Sequence, residues 1–93
     1  MPVAVIINAF FAAPQSAKRK TWIEMIRGVF RPTKKPDADN IGKIVCDALN
    51  GLAYHDDAQV VDLHVRKFWY SEPRVEVIIN TISEIEREKG LSA

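Results

Sequence analysis

Val3, Val5 and Ile7 alternate with Ala4, Ile6 and Asn8, and Phe10 and Phe11 follow. A period of two is that of a strand, whose successive side chains leave the pleated backbone on opposite faces; this one is apolar enough to be well buried. Pro14 ends it. Downstream the period lengthens: Trp22, Met25, Ile26 and Val29 recur at helical spacing, with Ser16 available as a cap and Lys18, Arg19, Lys20 and Arg27 on the other faces. Gly28 and Pro32 bound a loop running to Pro36. A second helix is expected from near Asp39, itself a good N-cap, with Ile41, Ile44, Val45 and Ala48 as its apolar face, Leu49 beside them and Asn50-Gly51 as a left-handed stop. Past Asp56-Asp57 the period returns to two. Val61, Leu63 and Val65 are expected to face inward and Asp62, His64 and Arg66 outward, in a strand continuing through Phe68, Trp69 and Tyr70. After a turn at Ser71-Glu72-Pro73, the run Val75 to Ile79 pairs most simply as an antiparallel hairpin partner. Ser83 and Glu86 then make a capping-box pattern for a short charged helix ending near Gly90. The order β-α-α-β-β-α predicts one domain over residues 1–93, of α/β (α+β) class, with a small mixed or antiparallel sheet and helices packed on one face.

Composition adds a class. The chain has 93 residues, 47% of them hydrophobic, and no long polar or repetitive run, as in a folded soluble protein with one core. Its apolar opening falls short of the roughly 20 residues a membrane helix needs and lacks the basic start of a signal, so no membrane partner is expected. The single Cys46 forms no internal disulfide, which fits a cytoplasmic setting. The net charge of +1 hides an asymmetry. Lys18 to Lys35 carries seven basic residues against Glu24 alone, whereas everything from Pro36 onward carries six bases and eleven acids. A cationic segment leads directly into an acidic one, the arrangement wanted where the first grips a polyanion and the second holds cations over it. A solvated basic helix face is the plainer, less favoured explanation of the charge.

The chemistry lies in the acids. Asp37, Asp39 and Asn40 stand in Lys35-Pro36-Asp37-Ala38-Asp39-Asn40, and Asp56 and Asp57 in Tyr54-His55-Asp56-Asp57-Ala58-Gln59-Val60. Each alone has an ordinary explanation as a cap or turn residue. Together they are a set of hard oxygens suited to Mg²⁺ and metal-assisted phosphate chemistry. Asp39, Lys43 and Asp47 follow one another at four-residue steps, a stripe along one side of the second helix that reads as the floor of a site. The loop after that helix is expected to return the chain toward the helix start and so unite the two acidic groups.

The pattern K-P-D-x-D-N-x-x-K, then D-A-L-N-G, then Y-x-D-D-x-Q-V, present as Lys35 to Lys43, Asp47 to Gly51 and Tyr54 to Val60, resembles the RusA-type Holliday junction resolvases of bacteria and their prophages. Three blocks in order are specific where a lone D-x-D would not be, and the likeness covers Pro2 to about Ile79. The resemblance implies a cytoplasmic homodimer, a Mg²⁺-dependent endonuclease of DNA recombination and repair that also accepts Mn²⁺, resolving four-way junction DNA by paired symmetric nicks. It implies metal-binding aspartates at Asp37, Asp39 and Asp57 and a catalytic lysine at Lys43, with Asn40, Asp47, Asp56 and Gln59 in support. Lys18, Arg19, Lys20, Arg31, Lys34 and Lys35 are the expected backbone-phosphate contacts. Members of that family usually carry a further N-terminal segment, with a P-P-S-x-N-like turn, before the strand that here opens at Val3. A branched-DNA-binding module without cleavage is the alternative reading. Strand aromatics Phe68, Trp69 and Tyr70 suit the core or a dimer contact better than base stacking, for which Phe30 is the better placed; His55 and His64 read as exposed residues rather than metal ligands.

Overall fold

The computed structural model describes residues 1–82; the helix expected between Ser83 and Gly90 lies outside the described residues. Strand β1 (Val3–Ala12) leads through helix α1 (Arg19–Ile26) and helix α2 (Ala38–Leu49) to a single 3₁₀ turn (Asp57–Gln59), strand β2 (Val60–Tyr70) and strand β3 (Arg74–Thr81). The order is the one expected, and the sheet is mixed. β1 is its centre, parallel to β2 and antiparallel to β3.

That order corrects the expected hairpin between the last two strands, because β1 lies between them. Crossing two strand spacings takes about 10 Å, and the links from Tyr70 to Arg74 span about 13 Å when extended, so Ser71-Glu72-Pro73 suffices. The most apolar strand takes the middle because only there are both edges paired and one face sealed. Val3, Val5, Ile7 and Ala9 are buried on a single face, Val5 and Ile7 completely. Ile41 and Tyr54 join them, with Phe11, Val45, Leu49, Val60, Val65 and Ile79 packed around.

α2 covers this face, and its neighbour is β2. A Cβ on Gly42 would stand 3.2 Å from Val65 Cγ2 and 3.3 Å from Leu63 Cδ2, so the missing side chain lets the helix settle onto the strand. The helix turns Ile41, Val45 and Leu49 inward, one line along its length, while Ile44 and Ala48, expected on the same face, are exposed. A sheet of three strands is too narrow to receive the wider stripe. For the same reason Val61 and Leu63 on the edge strand β2, expected to face inward, remain 48% and 47% exposed.

The ends of the helices also depart in detail from expectation. α1 begins after Lys18 rather than at a Ser16 cap, and Asp37, not Asp39, holds the N-cap position of α2. Gly51 adopts φ +81° after Asn50, the left-handed stop that the Asn-Gly pair predicts.

Candidate functional site

The start of α2 presents acids whose structural duties are slight. Asp37 accepts the Ile41 N–H through its backbone carbonyl (3.0 Å), as an N-cap residue must, but its carboxylate makes no capping hydrogen bond. Asp39 lies in the first turn, where the helix dipole favours a negative charge, and both aspartates are exposed. Asp37 thus fills the N-cap position expected of Asp39, and does so through its backbone alone. Asn40 is exposed in the same turn. One turn further along, Lys43 joins Asp39 and Asp47 in the wall of a groove of about 410 Å³ between α2 and β2, completed by Gly42, Cys46, Val60 and Leu63. The stripe read from the sequence is thus one wall of a real concavity. Among the described residues the ion pair Arg74–Glu76 (3.2 Å) involves none of these acids.

The second acidic segment is held firmly. The Tyr54 ring is buried and its hydroxyl donates to the Cys46 carbonyl at 2.8 Å, while Gly51 N–H donates to the Tyr54 carbonyl at 2.8 Å. Gln59 accepts from the backbone N–H groups of His55 (2.7 Å) and Asp56 (3.0 Å) through Oε1, and its Nε2 donates to the Met1 carbonyl at 3.0 Å. Asp56 Oδ1 receives the Ala58 N–H (3.0 Å), closing the turn that contains residue 57. In Y-H-D-D-A-Q-V, then, Tyr54 anchors, Gln59 clamps and Asp56 closes the turn.

The structure places the two acidic segments at opposite ends of the sheet. Pro36, next to Asp37, borders Ala9 to Ala12 at the end of β1, and Lys34 Nζ lies 5.7 Å from the Phe11 ring centroid. The segment from Asp56 to Gln59 is tied instead to Met1, and Val60 pairs with Val3 at the start of β1. The expected return of the loop to the helix start is thereby corrected. Parallel strands oblige the connecting helix to run back along them, so the chain leaving α2 arrives at the far end. Among the described residues no three His, Cys, Asp or Glu side chains converge closely enough to hold a metal ion.

The cationic surface is partly as expected. Lys18, Arg19 and Lys20 are exposed at the start of α1, and Lys35 is exposed beside Pro36. Arg31 and Lys34 have folded back. The Arg31 guanidinium lies 4.2 Å from the Phe68 centroid and donates from Nε to the Lys67 carbonyl (2.7 Å), and Lys34 Nζ lies 5.4 Å from the Trp69 ring. Lys67 and Arg74, which the charge run of the sequence did not single out, complete this belt: Lys67 Nζ donates to the Lys34 carbonyl (2.6 Å), and Arg74 covers Phe10 and Tyr70 at 4.7 and 4.8 Å. Their signal was the strand register, which sets Phe10 against both Phe68 and Arg74. Phe10 and Phe68 stack at 5.4 Å, and Phe11 meets Trp69 edge-on at 6.3 Å, so Phe68 and Trp69 are sheet contacts. His55 and His64 are exposed, and Phe30 is 48% exposed. No helix of the described residues is long and apolar enough to cross a membrane.

Comparison with known proteins identifies the arrangement. The chain is 49% identical over 86 residues to the uncharacterized protein YqaN of Bacillus subtilis (strain 168), a match covering 88% of this chain and 59% of that protein. No solved structure matches. The model of the family described as endodeoxyribonuclease RusA matches residues 1–80, and on that span the chain belongs to the RusA endodeoxyribonuclease family.

Proposed function

We propose that this protein is a Mg²⁺-dependent endodeoxyribonuclease that acts as a homodimer on four-way DNA junctions, placing paired nicks in recombination and repair. The observation that carries the reading is the family match over residues 1–80, which spans both acidic segments. The donors at the start of α2 fit the ion in kind. Asp37 and Asp39 offer exposed hard oxygens, and the Asp37 carboxylate is not engaged in capping. Bound Mg²⁺ supplies charge stabilisation at a phosphoryl oxygen and a nucleophile at neutral pH.

The chain's own residues do the rest. Asp37 and Asp39 would hold the cation, Mn²⁺ being accepted in its place, with Asp57, at the other end of the sheet in the same chain, as the further ligand that the family likeness implies, and Lys43, one turn from Asp39, would set an ammonium against the charge that develops on the phosphate. Lys18, Arg19, Lys20 and Lys35, with the belt that includes Arg31 and Lys34, grip backbone phosphates, which fixes position without reading sequence. Asn40 and Asp47 flank the metal ligands, and Asp56 and Gln59 fix the backbone around Asp57. Paired nicks related by a dyad call for a protein with the same dyad.

A four-way junction incubated with Mg²⁺ should yield symmetric paired nicks. Asp57→Asn should abolish them while the junction still shifts in a gel; equal loss of nicking and binding would overturn the assignment. A second reading, branched-DNA binding without cleavage, draws on the separation of the two acidic segments within one chain. It predicts a salt-sensitive mobility shift and no nick in either Mg²⁺ or Mn²⁺.

A further inference from the structure

We infer that the pocket at the open end of β1 takes one unpaired nucleobase of the DNA strand beside the cut. The inference rests on the proposed nuclease reading and adds to it a selection for opened DNA, made by this pocket rather than by the metal ligands.

The pocket exists because β1 outruns one of its neighbours. β3 begins at Arg74, opposite Phe10, whereas β1 continues to Ala12. On its other edge β1 stays paired, and Ala13 N–H donates to the Tyr70 carbonyl at 2.8 Å. Successive residues of a strand turn their N–H and C=O groups to opposite edges, so Ala12 turns both toward the side that β3 has left. Ala12 is exposed, and among the described residues neither group has a hydrogen-bond partner. Beside this edge Phe11, Pro36, Ile41 and Val75 wall a cavity of about 530 Å³, within the size range of small-ligand sites. Lys34 and Arg74 complete its lining. Val75 is 54% exposed there, so the wall is open to an occupant.

Each of these features answers one part of a nucleotide. A base brings an apolar face for the walls and, on the edge it uses for pairing, a hydrogen-bond acceptor next to a donor. The N–H and C=O of Ala12, side by side on a strand edge, meet that acceptor and donor. In a duplex the same edge is already taken, so only a base freed from its partner can use them, and a branch point is where freeing a base costs least. The ammonium of Lys34 and the guanidinium of Arg74 supply charge for the phosphates on either side of the base. Arg74 also meets Glu76 at 3.2 Å, but that half-exposed pair is too weak to withdraw the guanidinium. Pro36 is followed by Asp37 at one Cα step of about 3.8 Å, so a base in the pocket belongs to a nucleotide at or next to the phosphate that the cation holds. An apolar protein segment fits the place less well, because it would bury both cations and the Ala12 backbone groups against carbon.

The test sets a change in the protein against a change in the DNA. Four-way junctions carry an abasic site at each nucleotide of the crossover in turn; binding is read by gel shift without metal, and nicking in single turnover with Mg²⁺. At one or two of these positions the wild type should bind and nick about tenfold less well, the scale of losing one base from an aromatic-lined site. Val75→Trp fills the pocket, so it should treat intact and abasic junctions alike, at the level the wild type shows on the abasic ones. A wild type indifferent to every abasic position, or a Val75→Trp that discriminates as strongly as the wild type, overturns the pocket; nicking of the intact junction still supports the nuclease reading. A wild type that discriminates in binding, loses this in Val75→Trp and never nicks overturns the nuclease reading alone and supports the base site. Should Val75→Trp misfold by circular dichroism, Val75→Cys in a Cys46→Ala background is blocked after folding with benzyl methanethiosulfonate. The block should abolish discrimination and dithiothreitol should restore it; discrimination that survives the block overturns the pocket.

Discussion

The two ends of α2 carry the same kind of residue and use it in opposite ways. At the start, Asp37 occupies the N-cap position yet leaves its carboxylate out of the cap, and Asp39 is exposed in the first turn. At the other end the loop is fastened by Tyr54 to the helix and by Gln59 to the start of β1, and Asp56 gives an oxygen to the Ala58 N–H. A carboxylate engaged by backbone donors builds the fold, whereas one with free lone pairs is open to an external cation. Residue type alone does not separate the two; the neighbouring N–H groups do.

Substitutions at the two ends should expose the difference. The largest effect is expected at Asp39: Asp39→Asn should lower junction nicking about 10³-fold or more, since metal charge stabilisation contributes several kcal/mol. Asp56→Asn, which keeps an oxygen for the Ala58 N–H, should lower it less than about tenfold. Similar losses in a single-turnover assay would erase the distinction between the ends. Next comes the anchor. Tyr54→Ala should cost about 3–5 kcal/mol in denaturant unfolding, because it empties a buried ring site and removes the bond to Cys46. A much smaller cost would mean that the loop is held elsewhere.

The clamp should matter less. Gln59→Leu leaves the His55 and Asp56 N–H groups without their acceptor and should cost about 1–3 kcal/mol, falling at the low end because the site is partly open to water. It should also weaken Mn²⁺ binding in titration calorimetry more than it changes the far-ultraviolet dichroism. Unchanged affinity would show that residue 57 does not depend on this support. The smallest effect is expected midway along the helix. Gly42→Ala gains about 1 kcal/mol of helix propensity. The added Cβ at 3.2 and 3.3 Å from Val65 and Leu63 offsets much of that gain, the half-exposed Leu63 yielding more readily than the β-branched Val65. A melting-temperature change beyond a few degrees in either direction would contradict this balance.

Much of the fold was legible because local rules bear on it directly. The alternation from Val3 to Ile7 marks a strand, the Asn50-Gly51 pair marks the end of α2, and the chain order of elements follows from changes of period. The folded-back Arg31 and Lys34 were not legible, since a charge run is read as solvated until strand register sets rings beside it. The exposed Ile44 was missed for a related reason: a helical stripe tells which residues could be buried, and the width of the sheet tells which are.

By itself the sequence determined the elements, the identity of the acids and cations, and membership of the RusA family through three ordered blocks. Only the tertiary structure decided which strand is central and at which end each acidic segment lies. Alternation is a property of one strand and carries no information about its neighbours, so a hairpin and a sheet with β1 inserted look alike in the letters. The parallel pairing of β1 with β2 then makes α2 run back along the sheet, and that reversal parts Asp37 and Asp39 from Asp57.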